Sequence, residues 1–409
     1  MRFESHLDEL KASALFMGSA SQIRFSTTGG DQINEAASHH TAFLATRAFS
    51  VTSSRLTLVE YVRESGSAVH VGAASDASVR RIEETGAQHS NLDFSQGGFK
   101  LGNDFYAAWQ TMRFLQKNRI SHLHAIGMKP VVFAGLMMAL GVTPVRGSIA
   151  TVTGLGAHGD RLQTARIRPL IRLSLRSFSR VVFQNSDDAQ LFKQQRLVTR
   201  SQSRLIVGSG VDIRTFSPSP DKRDINAPFR VVLISRLLKA KGIETFARIA
   251  ARVQQQNPNV AFELYGDHDA THPDAVSTDW LHSSTPFTYK GPTDDVPNVL
   301  SSCDVFLFPS TYGEGVPRVV MEAASVGVPT VAFDVPGVRE AVENGETGYL
   351  VAPGQEARMA QKVVEILQNS ELRETLGAQA RKLAVERFDI HKIVEQYLEE
   401  YRSVGLLNE

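Results

Sequence analysis

Short apolar runs recur along the chain from residue 41, each followed by a segment whose apolar residues fall three and four positions apart. The runs read as buried strands and the three-four spacing as one face of a helix. The pattern predicts strands at 41–46, 67–72, 120–125, 148–153 and 180–185. Helices are predicted at 56–64, 77–85, 103–117, 130–140 and 187–195. A stretch rich in Ser, Pro and charge at 216–228 reads as a linker. A second series follows, with strands at 229–234, 261–265, near 287–289, at 305–308 and at 330–333, and helices at 356–368 and 371–388. Ile390, Ile393, Val394, Tyr397, Leu398 and Tyr401 carry helical spacing, as in a terminal helix docked on a groove. Alternating strands and helices make an α/β protein with mostly parallel, doubly wound sheets. Residues 1–38 break the rhythm and read as an irregular extension, with one helical segment at 7–17.

One stretch concentrates chemistry: Tyr312, Gly313, Glu314, Gly315, Val316, Pro317, Arg318, Val319, Val320, Met321, Glu322 and Ala323. It lies between two predicted strands, so its loop sits at the C-terminal end of a strand, where open α/β sheets bind ligands. Pro317 suits the first helical position, because it needs no backbone donor and its φ is already helical. The free N–H groups and the positive dipole end of that helix then point into the loop and favour an anion such as a diphosphate. Gly315 lets the backbone approach a ligand closely. Arg318 and Glu322 share a helix face. They form either a surface salt bridge or part of a ligand site. The apolar neighbours Val319, Val320, Met321, Ala323, Ala324 and Val326 favour the second, since a carboxylate on a mostly buried helix needs a partner. A vicinal diol such as a ribose supplies two hydroxyl donors.

Composition narrows the picture. The 409 residues are enough for two or three domains, and 44 Lys+Arg against 43 Asp+Glu leave no global field to attract nucleic acid. The single cysteine, Cys303, excludes a disulfide within the chain, fits a reducing compartment and reads as core. No apolar run reaches the roughly 18 residues of a membrane span, and the first residues carry no signal-peptide pattern.

Six pieces in order resemble retaining glycosyltransferases of the GT-B fold in glycosyltransferase family 4. Glu314 and Glu322 are similar to the E-x7-E element of that family. Val207-Gly208-Ser209-Gly210-Val211-Asp212 resembles its N-G-V-D turn, and Ser235-Arg236-Leu237-Leu238-Lys239-Ala240-Lys241-Gly242 its G-R-L-x-x-x-K-G loop. Glu263-Leu264-Tyr265-Gly266-Asp267, Phe308-Pro309-Ser310 and Gly345 to Val351 complete the set. The resemblance covers roughly residues 40–400. It implies two Rossmann-like domains facing a central cleft, with the acceptor on the first and the sugar nucleotide on the second. Glu314 would contact the donor sugar's hydroxyls near the reacting carbon and Glu322 would hold the ribose. The backbone of Gly315, Val316, Pro317, Arg318 and Val319 would lie by sugar and phosphate. Arg236 and Lys241 stand at a strand end and can stabilise the leaving diphosphate, although a solvated basic turn is the plain alternative. No paired-aspartate metal motif stands at a strand end, since Asp187-Asp188 and Asp294-Asp295 read as helix starts. The expectation is transfer without a metal or other cofactor, by front-face displacement.

A finer resemblance links Val152-Thr153-Gly154-Leu155-Gly156, Phe183-Gln184-Asn185-Ser186-Asp187-Asp188 and the run from Glu314 to Glu322 to one bacterial subgroup. It includes N-acetylgalactosaminyltransferases that extend undecaprenyl-diphosphate-linked sugars, which implies a UDP-HexNAc or UDP-hexose donor and a lipid-linked or other glycan acceptor in surface polysaccharide synthesis. His124 matches the first histidine of that subgroup's H-T-H-T-I-K-P run, and Ile126 replaces the second. His124 is therefore either catalytic or a satisfied core histidine, and His158 is a weak substitute for the missing one. Gly154, Gly156 and Gly159 spell a dinucleotide fingerprint, but no acid follows between 161 and 184, so the run reads as a loop on the cleft. Six arginines from Arg161 to Arg180 occur with no acid between them. Pro169 can start a helix to 178 on which Arg172, Arg176 and Arg180 form a stripe, which reads as contact with an anionic membrane surface or as a solvated helix face.

The resulting reading is an extension at 1–38, an acceptor domain at 39–212, a nucleotide-sugar domain at 213–387, and a last helix at 388–409 packed back on the first domain. The expected location is the cytoplasm or the inner face of the cytoplasmic membrane. A sugar-nucleotide epimerase of the same fold and a non-catalytic partner in a polysaccharide assembly complex are the rivals.

Overall fold

The computed structural model describes residues 39–94, 101–155, 167–219, 227–268, 272, 274–283 and 285–407, with backbone alone at 101–103. The expected extension at 1–38, including the helical segment at 7–17, and residues 220–226 of the expected linker at 216–228 lie outside the described residues.

The chain forms two parallel sheets. The first holds β1 (His40–Arg47), β2 (Ala68–Ala74), β3 (Gln88–Asn91), β4 (His122–Ile126), β5 (Gly147–Val152), β6 (Arg180–Phe183) and β7 (Ser203–Leu205), in the order β3-β2-β1-β4-β5-β6-β7. The second holds β8 (Phe229–Ile234), β9 (Val260–Tyr265), β10 (Thr288–Gly291), β11 (Val305–Phe308), β12 (Thr330–Phe333) and β13 (Gly348–Val351), in the order β10-β9-β8-β11-β12-β13. In each sheet the strand order reverses between two neighbours, β1/β4 and β8/β11. The loops leaving these strands diverge there and leave a crevice.

Helices cover both faces of the first sheet, and the alternation along its strands divides two cores. Ala42 and Leu44 of β1 enter one cluster while Phe43 and Ala45 enter the other. The last helix, Ile390–Ser403, packs on the second of these clusters through Ile393, Val394, Tyr397, Leu398 and Tyr401. The chain thus crosses between the two sheets twice. The crossings touch: Val211 donates to the Phe388 carbonyl at 2.7 Å, and Ile390 donates to the Val211 carbonyl at 3.0 Å. Gly210 has φ +84° and lies against Ile390, so a side chain at that position would block the crossing.

Several expectations shift. The arginine-bearing helix is Arg168–Arg176, and Arg180 lies beyond it on β6. Arg180 is not part of an exposed stripe, because Glu400 of the last helix binds it at 3.1 Å and Arg204 at 2.8 Å. The helix predicted from 130 begins at Met128, with Pro130 in its first turn, where the missing N–H has no partner to lose. The helix predicted at 371–388 is Ser370–Leu383, followed by a π turn at Ala384–Phe388. Helix Ala48–Thr52 and strands β3, β7 and β13 were not expected. Cys303 is buried just before β11, and burial pushes its thiol well above the usual range.

Candidate active site

Because β8 and β11 are neighbours, the loops that leave them meet. Thr311 donates to the Ala240 carbonyl at 3.1 Å. Gly242, at φ +77°, sits against the Pro309 carbonyl so closely that a Cβ would overlap it. This contact brings four side chains together. Lys241 is buried and its ammonium touches the Glu314 carboxylate. The Tyr312 ring lies 4.5 Å from Lys241 Nζ and 5.9 Å from Arg236 Cζ. Burial first, and Arg236 second, pull the Lys241 ammonium down to about 7. Contact with Glu314 opposes that pull.

The helix Arg318–Ser325 starts one residue later than the sequence implied. Pro317 occupies the capping position in extended backbone rather than the first helical position, and its carbonyl accepts from Val320 at 3.1 Å and Met321 at 3.3 Å. The first N–H groups of the helix have no partner within it and face the loop. Val316 and Pro317 are buried and Val319 is half-buried, so the loop is pinned by its apolar residues. Glu322 is 7% exposed, and Arg318 Nε donates to it at 2.7 Å. The salt bridge left open by the sequence is therefore present, but it is one-sided. The Arg318 side chain is 37% exposed while Glu322 is almost fully covered. Burial raises the Glu322 carboxyl, and Arg318 only partly offsets this. A buried carboxylate with one donor retains capacity for hydroxyl donors.

The first half of the molecule reaches this loop. Gly315 N–H donates to the Thr153 carbonyl at 2.9 Å. Asn185 Nδ2 donates to the Gly315 carbonyl at 2.8 Å and to that of Glu314 at 3.4 Å. Gly154, at φ +104°, packs on the Glu314–Gly315 peptide without room for a Cβ, and Gly315 packs on Gln184 in the same way. Gly154 is therefore at the junction. Gly156, His158 and Arg161 lie outside the described residues.

His124 sits on the face of β4 that the last helix covers, at 0% exposure. Its Nδ1 bonds the Tyr401 hydroxyl at 2.6 Å and its Nε2 the Thr151 hydroxyl at 2.8 Å. Burial, and then Arg55, lower its pKa well below the usual histidine range. Both nitrogens are engaged, which fits the core-histidine alternative, and the side chain anchors the last helix.

Sequence reading places Tyr312, Thr153, Gln184 and Asn185 within motifs but gives none of them a role in the site. Tyr312 adjoined the recognised motif and could have been flagged as a platform for cations. It reads Asn185 as the end of a strand and as part of the finer resemblance, whereas the Asn185 Oδ1 accepts from Asp188 N–H at 2.7 Å as a helix cap. Burial raises the Asp188 carboxyl to about 6.

Residues 219–383 match the family model described as Glycosyl transferases group 1. The N,N'-diacetylbacillosaminyl-diphospho-undecaprenol alpha-1,3-N-acetylgalactosaminyltransferase of Campylobacter jejuni is 25% identical over 382 residues, covering 88% of this chain and 98% of that protein. The UDP-Gal:alpha-D-GlcNAc-diphosphoundecaprenol alpha-1,3-galactosyltransferase of Escherichia coli is 22% identical over 303 residues, covering 71% and 77%. Among solved structures, Anabaena Alr3699/HepE in complex with UDP-glucose superposes with TM-score 0.72 at 21% identity, covering 89% of this chain and 99% of that one.

Proposed function

We propose, from the premise that this chain is a glycosyltransferase of the GT-B fold carrying a group 1 domain, that it transfers a hexose or N-acetylhexosamine from a UDP-sugar, with retention, to a polyprenyl-diphosphate-linked sugar. The observation that carries the reading is the convergence of Arg236, Lys241, Glu314 and the helix end at Arg318, with buried Glu322 one turn further on.

In this reading residues 213–387 hold the donor and residues 39–212 the acceptor. The glycosidic bond breaks and its electron pair goes to the diphosphate. Arg236, Lys241 and the backbone N–H groups of Val316, Arg318 and Val319 meet that charge, with no metal required. Glu322 accepts from the ribose hydroxyls. Glu314 shifts from Lys241 toward the hydroxyls of the donor sugar. The acceptor hydroxyl attacks the anomeric carbon from the face that the diphosphate leaves, and its proton passes to a diphosphate oxygen. The acceptor class is that named for the Campylobacter jejuni and Escherichia coli relatives.

The same reading puts the enzyme on the inner face of the cytoplasmic membrane. Arg168, Arg172 and Arg176 recur every four residues, and Arg172, Leu173 and Arg176 are exposed. They border a shallow cavity of about 440 Å³ with Pro169, Gln195 and Leu197. Anionic headgroups fit that chemistry. Among the described residues no helix is long and apolar enough to cross a membrane.

The test is UDP release from a panel of UDP-sugars, with and without polyprenyl-diphosphate-linked sugars, for wild type and Glu314→Ala. Release that needs the acceptor and falls at least about 100-fold in the variant is expected. Donor consumption without UDP release would instead indicate an epimerase, and no consumption of any donor would overturn the reading.

A further inference from the structure

The peptide between Glu314 and Gly315 belongs to one half of the molecule, yet its hydrogen bonds run to the other half. Gly315 N–H goes to Thr153, and the carbonyls of Glu314 and Gly315 both receive Asn185 Nδ2. The Asn185 side chain has no freedom to turn. Its Oδ1 accepts from Asp188 N–H as the cap of the helix Ser186–Gln194, so its NH2 must face Asp188 Oδ2, 2.8 Å away, and the Gly315 carbonyl. The cap thus aims the amide. Outside this buried contact lies a polar rim. Ser186 donates its N–H and hydroxyl to Glu340 at 2.7 Å and 2.6 Å, and Arg339 donates to Asp187 at 3.2 Å. Gly337, at φ +83°, lets the rim segment lie directly on the 314–315 carbonyls.

A polar contact between two domains joined by two crossings is one that opens and closes. We infer that Asn185 is a positioning residue for transfer. Its amide, with the Ser186–Glu340 contact at the rim, grips the Glu314–Gly315 peptide when the halves close, and only then sets the Glu314 carboxylate for the reaction. The groups proposed above for the diphosphate and ribose, Arg236, Lys241, Arg318 and Glu322, all belong to the second half, so donor binding does not need the grip and chemistry does. This inference rests on the donor site proposed above.

The variant that separates the grip from the cap is Asn185→Asp. Aspartate caps a helix as well as asparagine does, but it presents an acceptor to two carbonyls. Three quantities are read: melting temperature, the UDP dissociation constant by calorimetry, and kcat at saturating donor and acceptor. The expected result is a melt lowered by the second carboxyl placed against Asp188 Oδ2 but still above the assay temperature, a UDP dissociation constant within about 3-fold, and a kcat lowered about 10-fold or more, as misplacement of a reacting group gives. Wild-type kcat in folded Asn185→Asp overturns the inference, and so does a loss of UDP affinity as large as the loss of kcat. Should Asn185→Asp melt below the assay temperature, Glu340→Ala decides: lower kcat at unchanged UDP affinity supports the grip, and unchanged kcat overturns it. Failure of the donor site itself is distinguishable, because wild type would then bind no UDP.

Discussion

Lys241 is a buried cation paired with Glu314, and this makes it a sensor of donor binding. The cation is the form that holds a diphosphate. Burial and Arg236 pull it down to about 7 when no donor is bound, and a bound diphosphate raises that value. Below 7 the proton is already present and binding takes up none. Above 7 it must be recruited, so UDP affinity falls by up to about tenfold per pH unit until the bound-state value is reached. At pH 8, calorimetry in two buffers of different ionisation heat should show uptake of close to one proton, absent in Lys241→Met. No uptake in the wild type would contradict this. Residue identities of this kind were legible where the partners lie in one motif or at two neighbouring strand ends: Glu314, Glu322, Arg318, Arg236 and Lys241. Asn185 was not, because its partner carbonyls lie in the other domain and its local pattern spells an ordinary cap. Pro317 was misplaced by one residue, because fixed φ suits the cap as well as the first helical position.

At the scale of elements, parallel strands buried on both faces read plainly as apolar runs, and β8, β11 and β12 fell where they were expected. β3 did not, because Gln88, His89, Ser90 and Asn91 form a polar edge with no apolar alternation, and β7 has only three residues. The last helix was legible from its spacing, but not what it covers. Tyr401 and Tyr397 close a buried polar network with His124, Thr151 and Arg55. That network fits the core-histidine alternative for His124: strand alternation puts it on the helix-covered face of β4. His124→Ala should leave the Tyr401 hydroxyl without its partner and cost about 1–3 kcal/mol. The urea midpoint should fall while kcat per folded enzyme stays within about 3-fold. A collapse of kcat at wild-type stability would return His124 to the reaction.

For the whole molecule, the two sheets, their order and their reversal points set one cleft between the C-terminal ends of β1/β4 and β8/β11. The paired crossings at Val211 and Ile390 join the halves side by side, and the Asn185 proposal needs the cleft to close about them. The doubly wound class and the two halves were legible from the strand–helix rhythm. The closed contact was not, because no local pattern encodes which loops meet across domains. The arginine helix lies on the first half, and the membrane contact proposed for it predicts salt-sensitive sedimentation with vesicles containing about 30% anionic lipid and little with neutral ones. Arg172→Glu with Arg176→Glu should weaken that binding about 10-fold or more, and equal sedimentation of wild type and variant would remove the role. The most direct measurement is a crystal structure with UDP. The account predicts the diphosphate on Arg236, Lys241 and the N-terminus of the helix Arg318–Ser325, with the ribose hydroxyls on Glu322. A diphosphate seated elsewhere, or a ribose with no contact to Glu322, would contradict it.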